Sequence, residues 1–592
     1  MHPWPSNFHR RAGEAGPVVR LSGEGVPLTT DGQRVDLVSA LDQDGFSTLP
    51  MITAMIPSEI DVSVLVPPLS DLSPTLSPTS RTLLIDAVSG ELIAHASEVD
   101  PRPTDPLARA LTILPAHPLL PGRRYVVAVQ GLTDLSGAAI EPSATFAALR
   151  QGLASSDGAI AKSQAAYYRA HILPVLDQLG VKRDGLQLAW DFTTATGLKT
   201  RLKAMALSAV QACQSGAETC GALSDVSWQE DSADDVAYRA TGEVRLPGFV
   251  DSETYPSRHL SVEASAGFNV PFTVSVSAAA AKRLKAGQAA PVVIMGHGFF
   301  GQRGEVDGDA YRAIAQEAGA VAVAIDWWGL ATPDVGPIVT NILSDVSDIV
   351  LLRDRLEQGI VHVVSLASLA GVEGGEASLS SLTLPGTTTR VFHPAASISY
   401  FGCSLGHILG GTAAAVSPDI QRAALMVGGA GFAQIFTRSF PFGSLLTMLD
   451  GRFESRADSL LSLAQLAEVL ATVDPVTWAE EARSKRNLIQ VGIADTSVPL
   501  LAARLHARAL GATWLAPGDV PVWGLTPSKA PAAAYVEVDF GDENPAPTAT
   551  PPTVETPVHE ATRRVPAVIE QVGLFLKTGE LKHTCDGPCD PD

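Results

Sequence analysis

The stretch Ile398–Gly411, which reads ISYFGCSLGHILGG, constrains the fold of this chain more than any other. A strand-type apolar run leads into the pentapeptide GCSLG at 402–406, and small residues compatible with a helix follow. A G-x-S-x-G turn between a strand and a helix forces its middle residue into a strained backbone, for which Gly402 and Gly406 leave room. We therefore expect the hydroxyl of Ser404 to stand above a sheet at a helix N-terminus, where the helix dipole favours a developing negative charge.

The composition of the chain limits the class of protein in which this turn can occur. With 592 residues, 46% hydrophobic and 18% charged, the chain is expected to form two to four well-buried domains rather than a disordered segment. The formal net charge of −21 repels phosphate backbones, so nucleic acid is not an expected partner. The longest apolar runs, near Pro291–Met295 and Ala320–Ile325, are too short to span a bilayer.

Four of the five cysteines fall into two close pairs, Cys213 with Cys220 and Cys585 with Cys589. Such spacing predicts two small disulfide loops in an oxidising compartment, with free thiols or a metal site as alternatives. Cys403 is left over and is expected to be a buried, apolar neighbour of the turn serine. The paired cysteines indicate an exported or cell-surface protein. Because the N-terminus has no apolar leader segment, we expect the leader to be absent from this sequence.

A second glycine-rich turn, GHGFFG at 296–301, follows the predicted strand Val292–Met295. Acyl transfer requires two backbone N–H groups directed at a tetrahedral oxyanion. Beside a serine on a strand-to-helix turn, one N–H comes from the next residue, here Leu405, and the other from an earlier loop. Both turns could instead be ordinary glycine-rich connections, so the acid and the base decide between the two interpretations.

Candidates for the acid and the base follow in chain order. Asp495 comes after the predicted strand Leu488–Val491, although it could simply cap the helix that follows. In the order Ser, Asp, His, the base must be one of the three histidines after Asp495. His506 lies inside a predicted helix and His583 lies in the polar tail. His559 lies in a loop before a final helix, so we expect it to be the base rather than a surface histidine.

These motifs resemble the α/β-hydrolase superfamily over the last three-fifths of the chain. The turn at 296–301 is similar to the His-Gly-x oxyanion loop of lipases and esterases, which implies that Phe299 supplies the second N–H. Gly298 and His297 would then support and orient that loop. The acid loop ADTSVP is similar to the D-x-x-V-P loop of the family. The resemblance implies a serine carboxylester hydrolase, lipase-like or esterase-like, without metal or cofactor.

The resemblance also implies the roles of the side chains. Ser404 would attack an ester carbonyl, His559 would take and return the proton, and Asp495 would hold the imidazole in the required tautomer. The substrate would be a small-molecule, lipid or polyester ester, and peripheral contact with a membrane or cell surface stays open. A peptidase or amidase with the same triad, and a non-catalytic surface binding protein, are the alternative functions.

The rest of the chain is predicted to carry a second domain. Residues 1–150 are β-rich, with short strands separated by Pro, Ser and Asp-Gly breaks. The segments PWPSNF, DGQRVDL and PLLPGRRYVVAV resemble the N-terminal domains of bacterial surface lipases of the virulence-factor type and Ig-like modules. Residues 151–225 are expected to form a helical connector. The α/β-hydrolase domain would span 226–592, because alternating strands and helices there predict a mostly parallel sheet.

Two features of that domain concern the substrate. The apolar, partly helical insertion at about 432–485 predicts a lid over an apolar pocket, or else a helical pair packed on the sheet. Trp327 and Trp328 follow another predicted strand, and they would line the acyl pocket or belong to the core.

Overall fold

The computed structural model describes the whole chain except residues 1–2, 57, 155–161, 231–233, 265, 372–377, 516–521, 528–531, 546–547 and 592. Its internal contacts divide the chain into two compact units. The first unit comprises Met1–Leu198, Phe432–Ala471 and Ala546–Thr553. The second unit comprises Lys199–Gly431, Thr472–Pro545 and Val554–Asp592. The division therefore runs through both the predicted connector at 151–225 and the predicted lid at 432–485.

The elements of the described residues are numbered along the chain. The strands are β1 (Arg10–Gly13), β2 (Gly16–Val19), β3 (Ile52–Met55), β4 (Thr82–Asp86), β5 (His95–Val99), β6 (Ala110–Pro115), β7 (Arg124–Gln130), β8 (Leu186–Thr193), β9 (Leu223–Glu230), β10 (Val236–Gly248), β11 (Ala266–Ser277), β12 (Val292–Gly296), β13 (Val321–Ile325), β14 (Ile398–Cys403), β15 (Arg422–Met426), β16 (Arg486–Gly492), β17 (Thr513–Trp514) and β18 (Ala533–Val538). The α-helices are α1 (Ala144–Arg150), α2 (Lys162–Tyr167), α3 (Leu173–Gln178), α4 (Thr200–Ser215), α5 (Ala278–Lys285), α6 (Asp309–Ala318), α7 (Thr332–Ser344), α8 (Ile349–Gly371), α9 (Leu405–Val416), α10 (Phe432–Phe436), α11 (Gly443–Arg452), α12 (Arg456–Leu470), α13 (Ala479–Ala482), α14 (Leu500–Leu510), α15 (Val558–Ala561) and α16 (Pro566–Thr578).

Two antiparallel three-stranded sheets form the centre of the first unit. Their strand orders are β3-β6-β5 and β4-β7-β8, and apolar side chains of both sheets share one core. The opposite face of β4-β7-β8 packs against residues of α1 and α3, including Phe146 and Leu176. Strand β8 lies within the predicted connector, yet it pairs with β7 and completes this sheet. The apolar run at 62–66 also predicts a strand, but Val62–Val64 form a 3-10 turn instead, in which Oδ1 of Asp61 accepts the Ser63 N–H as a cap.

Helices α10 to α12 belong to the first unit. Ala433, Leu460 and Ala464 lie in the core that the two sheets share. Polar contacts add to this packing, since Oε1 of Gln465 accepts the Leu37 N–H at 2.8 Å. This part of the insertion is therefore a structural component of the first unit, and its role as a lid stays a prediction.

One stretch of the described residues, Arg456–Ala482, is long and apolar enough to cross a membrane. In the structure, however, 94% of its most apolar window is buried inside the protein. A core helix passes the same test of length and composition, so this stretch is weak evidence for a membrane span.

A ten-stranded mixed sheet organises the second unit, in the order β17-β18-β16-β15-β14-β12-β13-β11-β10-β9. The strands from β12 to β18 pair in parallel, and β9, β10 and β11 extend the sheet in antiparallel fashion. The sequence predicts eight strands here, at 237–246, 268–276, 292–295, 321–325, 397–401, 423–427, 488–491 and 534–539. All eight are present, whereas β9 and the two-residue β17 were not predicted. The carboxyl ends of β12, β14, β16 and β18 lie at one edge, which is where ligands bind in such sheets.

Helices cover both faces of this sheet. Phe401 and Cys403 pack with residues of α6 and α16, such as Ile314 and Phe575, on one face. Tyr400 has the opposite orientation in the strand, and a Cβ on Gly410 of α9 would overlap its ring. Because Gly410 has no side chain, α9 can pack close to β14, and Ser404 lies in the turn between the two.

Both predicted disulfides are present, Cys213–Cys220 and Cys585–Cys589. Cys585, Cys589 and His583 lie close enough together to hold a metal ion. The two sulfurs of this group are bonded to each other in the second disulfide. It also closes the C-terminal tail beside β18, where the carbonyl of Cys589 accepts the Asp539 N–H at 2.8 Å.

Candidate active site

The turn after β14 has the strained backbone that the pentapeptide predicts. Ser404 has φ 56° and ψ −120°, and it is the N-cap of α9. Gly402 and Gly406 are required on steric grounds, because a Cβ on either one would overlap backbone atoms. The buried hydroxyl of Tyr400 donates to the carbonyl of Gly406 at 2.6 Å and secures the turn from below. The role of this tyrosine was not predicted from the sequence, although Tyr400 lies four residues before the serine in the predicted strand.

Strain is concentrated at this edge of the sheet. Phe300, Ser404, Val427 and Ala494 all have positive φ, at 56°, 56°, 41° and 67°. Each follows one of the strands β12, β14, β15 and β16 closely along the chain. Non-glycine residues rarely adopt such angles, and they persist mainly where the surrounding structure enforces a functional geometry.

The loop after β12 lies beside the turn serine. Strands β12 and β14 are paired with Gly296 opposite Gly402, and the position of a Cβ on Gly298 would be 3.8 Å from Cβ of Ser404. Leu405 is the first residue of α9, and the first N–H groups of a helix have no partner within it. Phe299 and Leu405, the two predicted oxyanion donors, therefore stand on segments that flank Ser404.

His297 is buried and holds the loop at 296–301 in place. Its Nε2 accepts the backbone N–H of Trp327 at 2.8 Å, and this assigns the ring proton to Nδ1. Nδ1 then donates to the carbonyl of Gly298 at 2.8 Å. Burial lowers the pKa of His297, which favours the neutral ring that this pair of contacts requires.

The predicted acid and base are in direct contact. Nδ1 of His559 lies 2.7 Å from Oδ2 of Asp495, and both side chains are buried. Oδ1 of Asp495 accepts the N–H groups of Ser497 and Val498 at 2.8 and 3.0 Å. The alternative role of Asp495 as the cap of α14 is wrong, because Pro499 is the N-cap and no side chain of the described residues caps this helix. One oxygen of Asp495 organises the turn before α14, and the other contacts the imidazole.

His559 differs from its prediction in local structure. It lies in the four-residue helix α15, with Pro557 as N-cap, rather than in a loop. The other two candidate bases lie elsewhere. His506 is buried in α14 with Nδ1 2.8 Å from Nε2 of His407, and Nε2 of His583 contacts the Gly587 carbonyl.

The nucleophile and the base are not hydrogen-bonded among the described residues, whereas the base and the acid are. Among the hydrogen bonds that join described residues, none links Ser404 to His559. The two residues follow β14 and β18, with β15 and β16 between those strands at the same edge of the sheet. Catalytic hydrogen bonds are often long in a free enzyme and shorten when substrate binds.

Cys403, next to the nucleophile, has the properties of a core residue. It is buried, and burial raises the pKa of its thiol to about 11. A thiol with so high a pKa is almost entirely protonated near neutrality, and it is the thiolate that reacts.

The two tryptophans are packed among protein groups. Trp327 is buried with its indole against Gly296, where a Cβ would lie 3.0 Å from Nε1. Trp328 stacks on Phe268 with ring centroids 5.4 Å apart, and Arg355 covers it at 4.4 Å. These positions favour the core alternative, and a role in the acyl pocket stays a prediction.

Comparisons with known proteins give weak likenesses. No protein-family model matches this chain, and no curated protein matches it significantly in sequence. Among solved structures, an acetyl xylan esterase from Paenibacillus sp. R4 is 14% identical, with a TM-score of 0.35, and the match covers 62% of this chain and 96% of that one. Acetyl xylan esterase 1 from Thermoanaerobacterium sp. JW/SL YS485 is 13% identical, with a TM-score of 0.33 over 58% and 88% of the two chains. An S-formylglutathione hydrolase from Agrobacterium tumefaciens is 18% identical, with a TM-score of 0.29 over 52% and 91%. At scores this low, the likenesses assign neither a fold family nor an activity.

Proposed function

We propose that this protein is a serine carboxylester hydrolase of the α/β-hydrolase type that acts through a covalent acyl-enzyme. The observation that carries the proposal is the buried pair of His559 and Asp495 at the sheet edge where Ser404 is held in a strained turn. A lone histidine or a capping aspartate would not need this arrangement. Here the acidic side chain fixes the imidazole through Nδ1, which leaves Nε2 as the nitrogen that can accept a proton.

In the proposed mechanism, His559 removes the hydroxyl proton of Ser404 as Oγ attacks the ester carbonyl. The tetrahedral oxyanion is stabilised by the N–H groups of Phe299 and Leu405 and by the N-terminal dipole of α9. The imidazolium returns the proton to the leaving alcohol, and water then hydrolyses the acyl-enzyme by the same route. Asp495 stays ionised and stabilises the imidazolium.

A fluorophosphonate probe and p-nitrophenyl acetate test this function together. Wild-type protein should be labelled on Ser404 and should hydrolyse the ester, and Ser404→Ala should lose labelling and at least about 10⁴-fold in kcat. Ser399→Ala is the matched control, because Ser399 lies on the same strand and its buried hydroxyl has no hydrogen-bond partner among the residues that the structure describes. Absence of labelling in the wild type would favour the non-catalytic binding protein.

Substrate class and location remain further parts of the proposal. We propose a small-molecule or lipid-like ester as the substrate, with residues 432–485 as the lid. A peptidase or amidase with the same triad is the alternative. Hydrolysis of p-nitrophenyl esters of increasing chain length tests this, since a strict preference for acetate would contradict the lid. The two disulfides favour an oxidising compartment, which supports export.

A further inference from the structure

A carboxylate that the mechanism does not use lies behind the loop at 296–301. Glu305 belongs to the 3-10 turn Arg303–Asp307, and its side chain turns back toward the chain that precedes it. Its Oε2 accepts the backbone N–H of Gly298 at 2.9 Å.

The loop is shaped to fit this carboxylate. A Cβ on Gly301 would overlap Oε1 of Glu305 and lie 2.8 Å from its Cδ, so only glycine fits there while the carboxylate stays in place. A Cβ on Gly298 would lie 3.7 Å from Oε2 of Glu305 and 3.8 Å from Cβ of Ser404. Glu305 and the nucleophile thus approach Gly298 closely.

The contacts fix both peptide groups of Gly298. Its N–H is held by Glu305, and its carbonyl accepts from Nδ1 of His297 and from the Gly301 N–H at 3.1 Å. Because a trans peptide is planar, the Phe299 N–H points opposite to the Gly298 carbonyl. Holding both ends of Gly298 therefore sets the direction of the Phe299 N–H, and fixed donors are what stabilise an oxyanion.

We propose that Glu305 is a positioning residue that aligns the Phe299 N–H with the oxyanion through its hydrogen bond to Gly298. This inference rests on the proposed ester hydrolysis and adds a residue to it. The hydrogen bond of Glu305, and not its charge, produces the alignment, because a negative charge nearby would destabilise the developing oxyanion. The acceptor can therefore be kept while the charge is removed.

Three variants separate these effects on p-nitrophenyl acetate. Glu305→Ala should lower kcat about 10- to 100-fold and leave KM within about threefold, because the lost alignment matters only in the transition state. Glu305→Gln keeps an acceptor oxygen and should retain kcat within about threefold. Asp309→Ala is the matched control, since that nearby carboxylate has a side chain that is 86% exposed. It should leave both constants unchanged.

A double-mutant cycle gives a second test that does not depend on one variant folding well. Gly301→Ala should displace the carboxylate and reproduce the loss seen in Glu305→Ala. In the Glu305→Ala background, Gly301→Ala should lower kcat little further. The nearest remaining atom to the new Cβ is then the Gly298 carbonyl oxygen, at 3.2 Å. Additive losses would mean that the two residues act independently and would overturn the proposal.

A trifluoromethyl ketone supplies the readout that a purely structural role would not move. Its tetrahedral adduct with the serine places an oxygen in the oxyanion position, so its affinity for Glu305→Ala should fall in parallel with kcat/KM. Equal kcat in Glu305→Ala and the wild type, or equal losses in the Gln and Ala variants, would overturn the positioning role. Full activity of Ser404→Ala would instead overturn the proposed function itself.

Discussion

Nδ1 of His559 lies 2.7 Å from Oδ2 of Asp495, although 64 residues separate them in the chain. The other oxygen of the same carboxylate is occupied by the N–H groups of Ser497 and Val498. The side chain therefore cannot rotate without losing two backbone hydrogen bonds. One oxygen is committed to the turn and the other to the imidazole.

This division predicts the effect of Asp495→Asn. The amide oxygen should stay with the two backbone N–H groups, which leaves the amide NH₂ facing Nδ1 of His559. A donor at that place stabilises the tautomer protonated on Nε2, which cannot accept the proton of Ser404. We expect kcat on p-nitrophenyl acetate to fall about 10³- to 10⁴-fold with little change in thermal stability. Asp539→Asn, at an exposed position after β18, should behave as wild type, and near-normal activity of Asp495→Asn would contradict the assignment.

The second prediction concerns Gly406, two residues after the nucleophile. A Cβ on Gly406 would overlap the carbonyl oxygen of Gly296 and lie 3.1 Å from that of His297. These are backbone atoms at the end of β12, so the turn and the loop at 296–301 would have to separate. We expect Gly406→Ala to lower kcat about 100-fold, since a shift of about 1 Å suffices for that. Gly336→Ala in α7 is the control and should keep full activity. Apart from its chain neighbours and the backbone of its own helix, no atom of the described residues lies within 4 Å of the new Cβ.

The sequence alone predicts the motif positions well because each depends on local chemistry. The two glycines around Ser404, the apolar runs of the parallel strands and the spacing of the cysteines all act over a few residues. The strands predicted in the second unit are all present for this reason. The convergence of Asp495 and His559 required chain order in addition to local pattern.

The predictions that failed or stayed open depend on long-range packing. Strand β9 was missed because it is mostly exposed and lacks an apolar face. The membership of Phe432–Ala471 in the first unit depends on a core that includes residues such as Val38 and Phe46, which no local pattern shows. Glu305 was missed because its value lies in a backbone contact seven residues away.

A buried histidine in the second unit predicts acid sensitivity. His362 in α8 packs edge-on against Trp328, and burial together with the charge of Arg355 lowers its pKa to about 3. Below pH 6.5 the unfolded chain binds a proton that the folded protein does not. The free energy of unfolding should therefore fall by about 1.4 kcal/mol per pH unit toward pH 3 on account of this group.

His362→Leu removes that group at similar volume. In urea unfolding followed by tryptophan fluorescence, we expect the stability of the variant relative to the wild type to increase as pH falls from 6 to 4. Ser365→Ala, one turn along the same helix, carries no ionisable group, so its difference from the wild type should not depend on pH. A His362→Leu difference that is equally flat would show that this histidine does not titrate on unfolding.

A buried glutamate in the first unit predicts the opposite pH dependence. Glu468 in α12 accepts the Ser47 N–H through Oε2, and burial raises its pKa to about 8. Its Oε1 is buried without a hydrogen-bond partner among the described residues. The folded protein thus holds a proton that the unfolded chain releases above about pH 4.5, so the free energy of unfolding falls as pH rises from 4.5 to 8.

Glu468→Gln imitates the protonated acid at every pH and should remove this loss. At pH 7 we expect the free energy of unfolding of the variant to exceed that of the wild type by about 3 kcal/mol, so that the variant unfolds at a higher urea concentration. This difference should vanish near pH 4.5. Gln465→Leu, which removes the acceptor for the Leu37 N–H on the same helix but no ionisable group, should shift stability equally at all pH values. If Glu468→Gln destabilised the protein at pH 8, the glutamate would have to be ionised and paired in the folded state, and burial would not control its protonation.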